Sequence, residues 1–154
     1  MSSRARVLVV DDEPDVLGVV NAILASAGLH IVTAPSAEHA LGILQQQEDF
    51  ALVLSDVRMG SGLSGPQFVG KVKQLCPSTA VALMSGEAGH ERIDPQIAFI
   101  QKPFRARALI ATIEQLLARH RELSPGIALT SRRPRDWSPN SRQKFIWQRK
   151  STGK

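Results

Sequence analysis

Five polar side chains stand where short apolar runs stop. Asp11 and Asp12 follow the run at 7–10, Asp56 the run at 51–55, Ser85 the run at 80–84, and Lys102 the run at 98–100. Three carboxylates gathered together repel one another unless a hard cation lies between them. An all-oxygen donor set suits Mg²⁺, which takes one or two carboxylates directly and keeps several waters. Lys102 adds a compact positive charge and Ser85 a hydroxyl donor. That inventory matches phosphoryl transfer, where catalysis is mostly positioning and charge neutralisation.

For these residues to meet, the elements carrying them must end at one edge. Val7-Leu8-Val9-Val10 is a continuous β-branched run, the pattern of a strand covered on both faces. Pro14 suits the first turn of a helix, where a missing N–H costs nothing. Val16, Val19, Val20, Ile23, Leu24 and Ala27 then recur at helical spacing until Gly28. The pattern repeats with a strand over 29–33, a helix capped by Ser36 and running to about Gln46, a strand over 51–55, and a helix over 66–75. Further strands are expected over 80–84 and 98–100, and a closing amphipathic helix over 105–121. Strand–helix alternation predicts a parallel sheet with helices on both faces. In such sheets ligands bind outside the carboxyl ends of the strands, where all five residues fall.

The chain has 154 residues, enough for one compact core, and its formal net charge is +5. That charge is unevenly placed: residues 125–154 hold eight basic residues and one acid, while residues 1–124 carry a net −2. We therefore divide the chain into a domain over 1–124 and a basic tail over 125–154 that holds both tryptophans. The tail is expected to be disordered, because its composition buries too little area to offset ordering. A single cysteine, Cys76, excludes an internal disulfide framework and a cysteine-based metal cluster, and its place before Pro77 at a helix end reads as inert. His30, His39, His90 and His120 lack ligand spacing, so no zinc site follows. No apolar run approaches the roughly 20 residues of a membrane span. The stretch at 7–10 is too short for the core of a signal peptide, so a cytoplasmic location is expected.

Four segments together carry a resemblance: Val7-Leu8-Val9-Val10-Asp11-Asp12-Glu13-Pro14, Leu54-Ser55-Asp56-Val57-Arg58-Met59, Met84-Ser85-Gly86 and Gln101-Lys102-Pro103-Phe104. In order and spacing they resemble the signatures of two-component response-regulator receiver domains, over about residues 5–122. The resemblance implies a doubly wound, five-stranded CheY-like (flavodoxin-like) α/β fold with strand order 2-1-3-4-5. It implies Asp56 as phospho-acceptor, taking the phosphoryl group from a histidine of a sensor kinase or phosphotransfer protein. Mg²⁺ would be held by Asp12 directly, by Asp11 mostly through water, and by Asp56 and the backbone carbonyl of Arg58. Lys102 would pair with Asp56 and then with the phosphoryl oxygens, and Ser85 would hydrogen-bond the phosphoryl group. Phe99 matches an aromatic that turns inward on activation, although an aromatic in such a strand is most often core. The Lys102–Pro103 bond is implied to be cis. The resemblance implies that Arg58 and Glu87 occupy positions that in the family tune the lifetime of the phosphoryl group.

The chain also departs from the family pattern. Gly60 replaces the usual proline after Met59, and the loop to Pro66 is one residue longer than the commonest form, resembling receivers attached to hybrid histidine kinases. The interval from Ser85 to Lys102 is short, so the fourth helix is expected to be abbreviated or irregular. The leading expectation is a single-domain regulator that signals by protein contact with an unidentified output partner, with homodimerisation open to it. Nucleic-acid binding by the basic, tryptophan-bearing tail is the alternative reading. An Mg²⁺-dependent aspartyl-phosphate phosphatase fits poorly, because Arg58 stands where such enzymes place a second acid.

Overall fold

The computed structural model describes residues 4–47, 49–60, 62–86 and 97–123. The expected basic tail, Glu87 and most of the expected fourth-helix interval lie outside the described residues. The element order is β1 (Arg6–Val10), α1 (Pro14–Ser26), β2 (His30–Ala34), α2 (Ala37–Gln46), β3 (Leu52–Asp56), α3 (Gly65–Leu75), β4 (Ala80–Ser85), β5 (Ala98–Gln101) and α4 (Ala106–Leu123). The strands form one parallel sheet in the order β2-β1-β3-β4-β5. The doubly wound α/β architecture is therefore the one expected. Among the described residues, no helix is long and apolar enough to cross a membrane.

The period of two explains why the central strands are apolar throughout. Leu8, Val10, Val53, Val81 and Leu83 face α2 and α3, packing with Ala40, Leu44, Phe68, Val69 and Val72. Val7, Val9, Leu52, Leu54, Ala82 and Met84 face the opposite way, against Val20 and Leu24 of α1 and Leu109, Ile113 and Leu117 of α4. With helices on both faces, neither set of side chains meets water. At the amino-terminal edge of the sheet, Arg6 stacks on the Phe50 ring at 4.5 Å and ion-pairs with Asp49.

Local chemistry sets the helix limits. Ser36 caps α2 by accepting from the His39 N–H. Pro14 begins α1, and Gly28, at φ +85°, follows its end. Helix α3 starts at Gly65, one residue before the expected Pro66. Ser64 and Gln67 form a capping box that brings Gly65 into the first turn. The other limits differ from expectation by one or two residues, as fraying ends do.

Gly65 also serves the packing. Its N–H donates to the Val57 carbonyl at 2.9 Å. A Cβ there would stand 2.7 Å from both the Asp56 carbonyl oxygen and the Val57 Cα, backbone atoms that cannot rotate away. Gly70, in the exposed middle of α3, has no such neighbour. The two glycines should respond oppositely to alanine. Gly65→Ala is expected to lose about 1–3 kcal/mol through overpacking, and Gly70→Ala to gain about 0.5–1 kcal/mol through helix propensity. Urea unfolding midpoints of the two variants against wild type check the signs.

Candidate functional site

The sheet register brings the predicted residues to one end. Val10 pairs with Ser55, so Asp11 and Asp56 stand level on adjacent strands. Asp56 is in turn level with Met84, and Ser85 with Gln101, which puts Ser85 and Lys102 just beyond. Between β1 and β3 the strand order reverses, and the crevice of a doubly wound sheet opens there. Asp11 and Asp56 flank that crevice.

Asp11 is fully buried. Its N–H donates to the Ala34 carbonyl at 3.2 Å, continuing the β1–β2 ladder by one step. One carboxylate oxygen, Oδ1, accepts from the Glu13 N–H at 2.9 Å, which shapes the turn into α1. The other, Oδ2, accepts from the Lys102 ammonium at 2.9 Å. Asp11 is thus both an ordinary turn-forming aspartate and a member of the charged cluster. Asp12, the next residue, is exposed. Oxygen atoms of Asp11, Asp12 and Asp56 all lie within 4.8 Å of one another.

Lys102 reaches the cluster from β5. Its N–H donates to the Ser85 carbonyl at 2.7 Å, and the Lys102–Pro103 peptide is cis, as expected. The resemblance implied pairing with Asp56. The ammonium lies 3.6 Å from Asp56 Oδ1, but its shorter contact, 2.9 Å, is with Asp11. Ser85 is buried at the end of β4.

These contacts act on the ionisation of the group they surround. Burial pushes the Asp56 carboxyl above the usual carboxylate range, and the Asp11 charge adds to that. The Lys102 charge and the backbone N–H groups of Val57 and Arg58 pull the other way without cancelling it. For Lys102, burial acts downward, but the hydrogen bond and charge of Asp11, with help from Asp56 and Glu13, raise it above the ordinary lysine value. The ammonium therefore stays charged.

Phe99 is 41% exposed on the edge strand β5. It lines a surface depression of about 370 Å³ with Phe104, Arg105 and Ala108, on the β5–α4 side and away from the carboxylates. Sequence reasoning missed two residues that shape the site. Gly65 could have been suspected only from its place after β3. Glu38 reaches the loop after β3 from α2, its carboxylate accepting from the Leu63 N–H at 3.1 Å. Nothing in its local sequence marks that contact.

The donor set fits a hard divalent cation. Oxygen atoms of three carboxylates lie together while the ammonium pairs with two of them, Asp11 and Asp56, and added positive charge relieves the Asp11 repulsion that adds to burial in raising Asp56.

The sequence pattern of the response regulator receiver domain matches residues 7–114. The chain is 33% identical over 119 residues to the nitrogen assimilation regulatory protein NtrX of Azorhizobium caulinodans, covering 72% of this chain and 26% of NtrX. It is 35% identical over 121 residues to the response regulator FleR of Pseudomonas aeruginosa, covering 75% of this chain and 24% of FleR. The chain thus spans about a quarter of the length of these relatives. Among solved structures it is similar to a receiver domain from Clostridium thermocellum, with TM-score 0.71 and 26% identity over 77% of this chain and 98% of the other. It is also similar to NtrX from Brucella abortus, with TM-score 0.74 and 30% identity over 82% of this chain and 29% of the other.

The raised Asp56 pKa carries a stability consequence. A carboxyl that holds its proton more tightly folded than unfolded favours folding below the unfolded-state pKa, and loses that advantage as pH rises through the folded value. Above the folded value the ionised Asp56 therefore opposes folding. In Mg²⁺-free buffer, Asp56→Asn is expected to unfold at a higher temperature than wild type at pH 7. The gain should shrink as pH falls towards the ordinary carboxylate value of 3.8. Thermal melts of both proteins across that range check the sign.

Proposed function

Because the chain belongs to the response regulator receiver domain family, we propose that Asp56 accepts a phosphoryl group from a histidine of a sensor kinase or phosphotransfer protein. The receiver unit on this reading is residues 1–124, and the phosphorylated form signals by contact with an output protein. The observation that carries it is the convergence of Asp11, Asp12, Asp56 and Lys102 at the crevice between β1 and β3.

A carboxylate oxygen of Asp56 attacks the phosphorus. The new P–O bond forms as the P–N bond to the donor imidazole breaks, and the bonding pair returns to the ring nitrogen. Asp56 must be ionised to attack, and the Lys102 ammonium 3.6 Å away favours that form. Once Asp56 has become an acyl phosphate, Lys102 pairs with the phosphoryl oxygens. Ser85, buried at the adjacent strand end, supplies a hydroxyl to one of them. Phe99, on the strand that leads to Lys102, turns inward as the Ser85 loop closes. Arg58, two residues after the acceptor, sets the lifetime of the acyl phosphate, together with Glu87.

Mg²⁺ supplies positive charge for the phosphoryl oxygens. Asp12, Asp56 and the Arg58 carbonyl are its proposed direct ligands. Asp11 is proposed to act through water, a role supported by the engagement of both its oxygens with Lys102 and the Glu13 N–H.

A small phosphodonor with Mg²⁺ tests the reading without a cognate kinase. Wild type is expected to take up acid-stable but hydroxylamine-labile label, and Asp56→Asn none. Lys102→Ala is expected to label at least about tenfold more slowly, as for loss of one charged stabiliser. Chelation of Mg²⁺ should abolish labelling. Equal labelling of Asp56→Asn would remove Asp56 from the role.

A further inference from the structure

The loop between β3 and α3 is fastened at both described ends. At its start Met59 is buried, with the Ser55 hydroxyl directed at its sulfur at 3.7 Å. Gly60 follows at φ +52°, close enough to Asp12 that a Cβ there would stand 3.4 Å from Oδ2. At its end Ser64 caps α3, and the Gly65 N–H binds the Val57 carbonyl. Between these ends, Glu38 reaches over from the first turn of α2, 25 positions earlier in the chain. Its Oε1 accepts from the Leu63 N–H at 3.1 Å.

The contact is shaped on both sides. A Cβ at Gly62 would lie 2.5 Å from Glu38 Oε1 and 2.9 Å from Oε2, so the carboxylate occupies space that any side chain at 62 would take. The hydrogen bond from Leu63 is the main influence holding the Glu38 carboxyl below its usual range, so the group that accepts the bond is the ionised one. The loop that carries the Arg58 carbonyl and brings Gly60 beside Asp12 is therefore tied to a helix outside the crevice.

We propose that Glu38 is a positioning residue for the cation side of the acidic site, its hydrogen bond to the Leu63 amide holding the β3–α3 loop where Gly60 meets Asp12. The proposal rests on the reading of the site as an Mg²⁺-dependent phospho-acceptor. Groups that orient metal ligands from outside the coordination shell commonly change affinity by an order of magnitude or more. Loosening this loop should therefore weaken cation binding without touching a carboxylate of the cluster.

The test uses the full chain and Mg²⁺ alone, titrated calorimetrically, together with NMR exchange of the Leu63 amide in Mg²⁺-free protein. Glu38→Ala is expected to raise the Mg²⁺ Kd about tenfold and to speed Leu63 exchange. Glu38→Gln keeps an acceptor oxygen and should hold both readouts near wild type. Gly62→Ala should mimic Glu38→Ala by displacing the carboxylate. Added to Glu38→Ala it should do little more, because both remove the same contact. Wild-type affinity or wild-type Leu63 exchange in Glu38→Ala overturns the proposal. So does a Gln variant as weak as Ala, or strict additivity of the two substitutions. Absence of Mg²⁺ binding in wild type instead overturns the reading of the site itself, and is told apart because it needs no variant.

Discussion

The Lys102 ammonium, set 2.9 Å from Asp11 and 3.6 Å from Asp56, is the interaction around which the rest is arranged. Two buried carboxylates on neighbouring strands repel each other, and removal from water makes such repulsion larger. The ammonium arrives from a strand two places away from β3, so it can serve only if β3, β4 and β5 keep their register. That register depends on strands that bury both faces, and those in turn require α1 and α4 on one side and α2 and α3 on the other. The charge cluster and the apolar core are one design: the core aligns the strand ends, and the strand ends carry the chemistry.

Most of this was legible in the sequence because it is written in short-range patterns. An apolar run of four or five followed by an aspartate, serine or lysine states both that a strand is buried and where it stops. Ser36 and Pro14 state where helices begin. The partner preference of Lys102 was not legible. The contacts with Asp11 and Asp56, at 2.9 and 3.6 Å, differ by 0.7 Å, and no residue spacing encodes such a difference. Gly65 looked like one more loop glycine until the backbone of Asp56 and Val57 was seen to lie against it. Glu38 is the acidic residue in the first turn of α2, favourable at a helix start on its own account. Its bond to Leu63 joins elements that only the folded chain brings together.

The α2–α3 side of the molecule therefore does more than cover the sheet. Ser64 and Gln67 fix the start of α3 reciprocally, Gly65 seats that start against the end of β3, and Glu38 fastens the intervening loop to α2. A glycine-rich stretch carries little conformational preference of its own. Its shape must come from such external contacts, and here backbone amides and the Glu38 carboxylate act beside the packed Met59 and Leu63 side chains.

Opposed electrostatic influences act on Asp56, the proposed phospho-acceptor. Burial and Asp11 raise its pKa, whereas Lys102 and two backbone amides lower it. Raising alone would leave a protonated acid, unable to attack phosphorus. Lowering alone would leave a carboxylate so well stabilised that its lone pair is a poor nucleophile. The raising influences prevail and leave the group more basic than an exposed aspartate, while Lys102 and the amides favour its ionised form. Asp11 takes part on both sides of that balance, since it repels Asp56 directly and also holds and raises the ammonium that relieves it. A substitution at Asp11 therefore removes a repulsion and loosens a compensation together, whereas one at Lys102 removes compensation alone. The two residues touch the same atoms but are not equivalent supports.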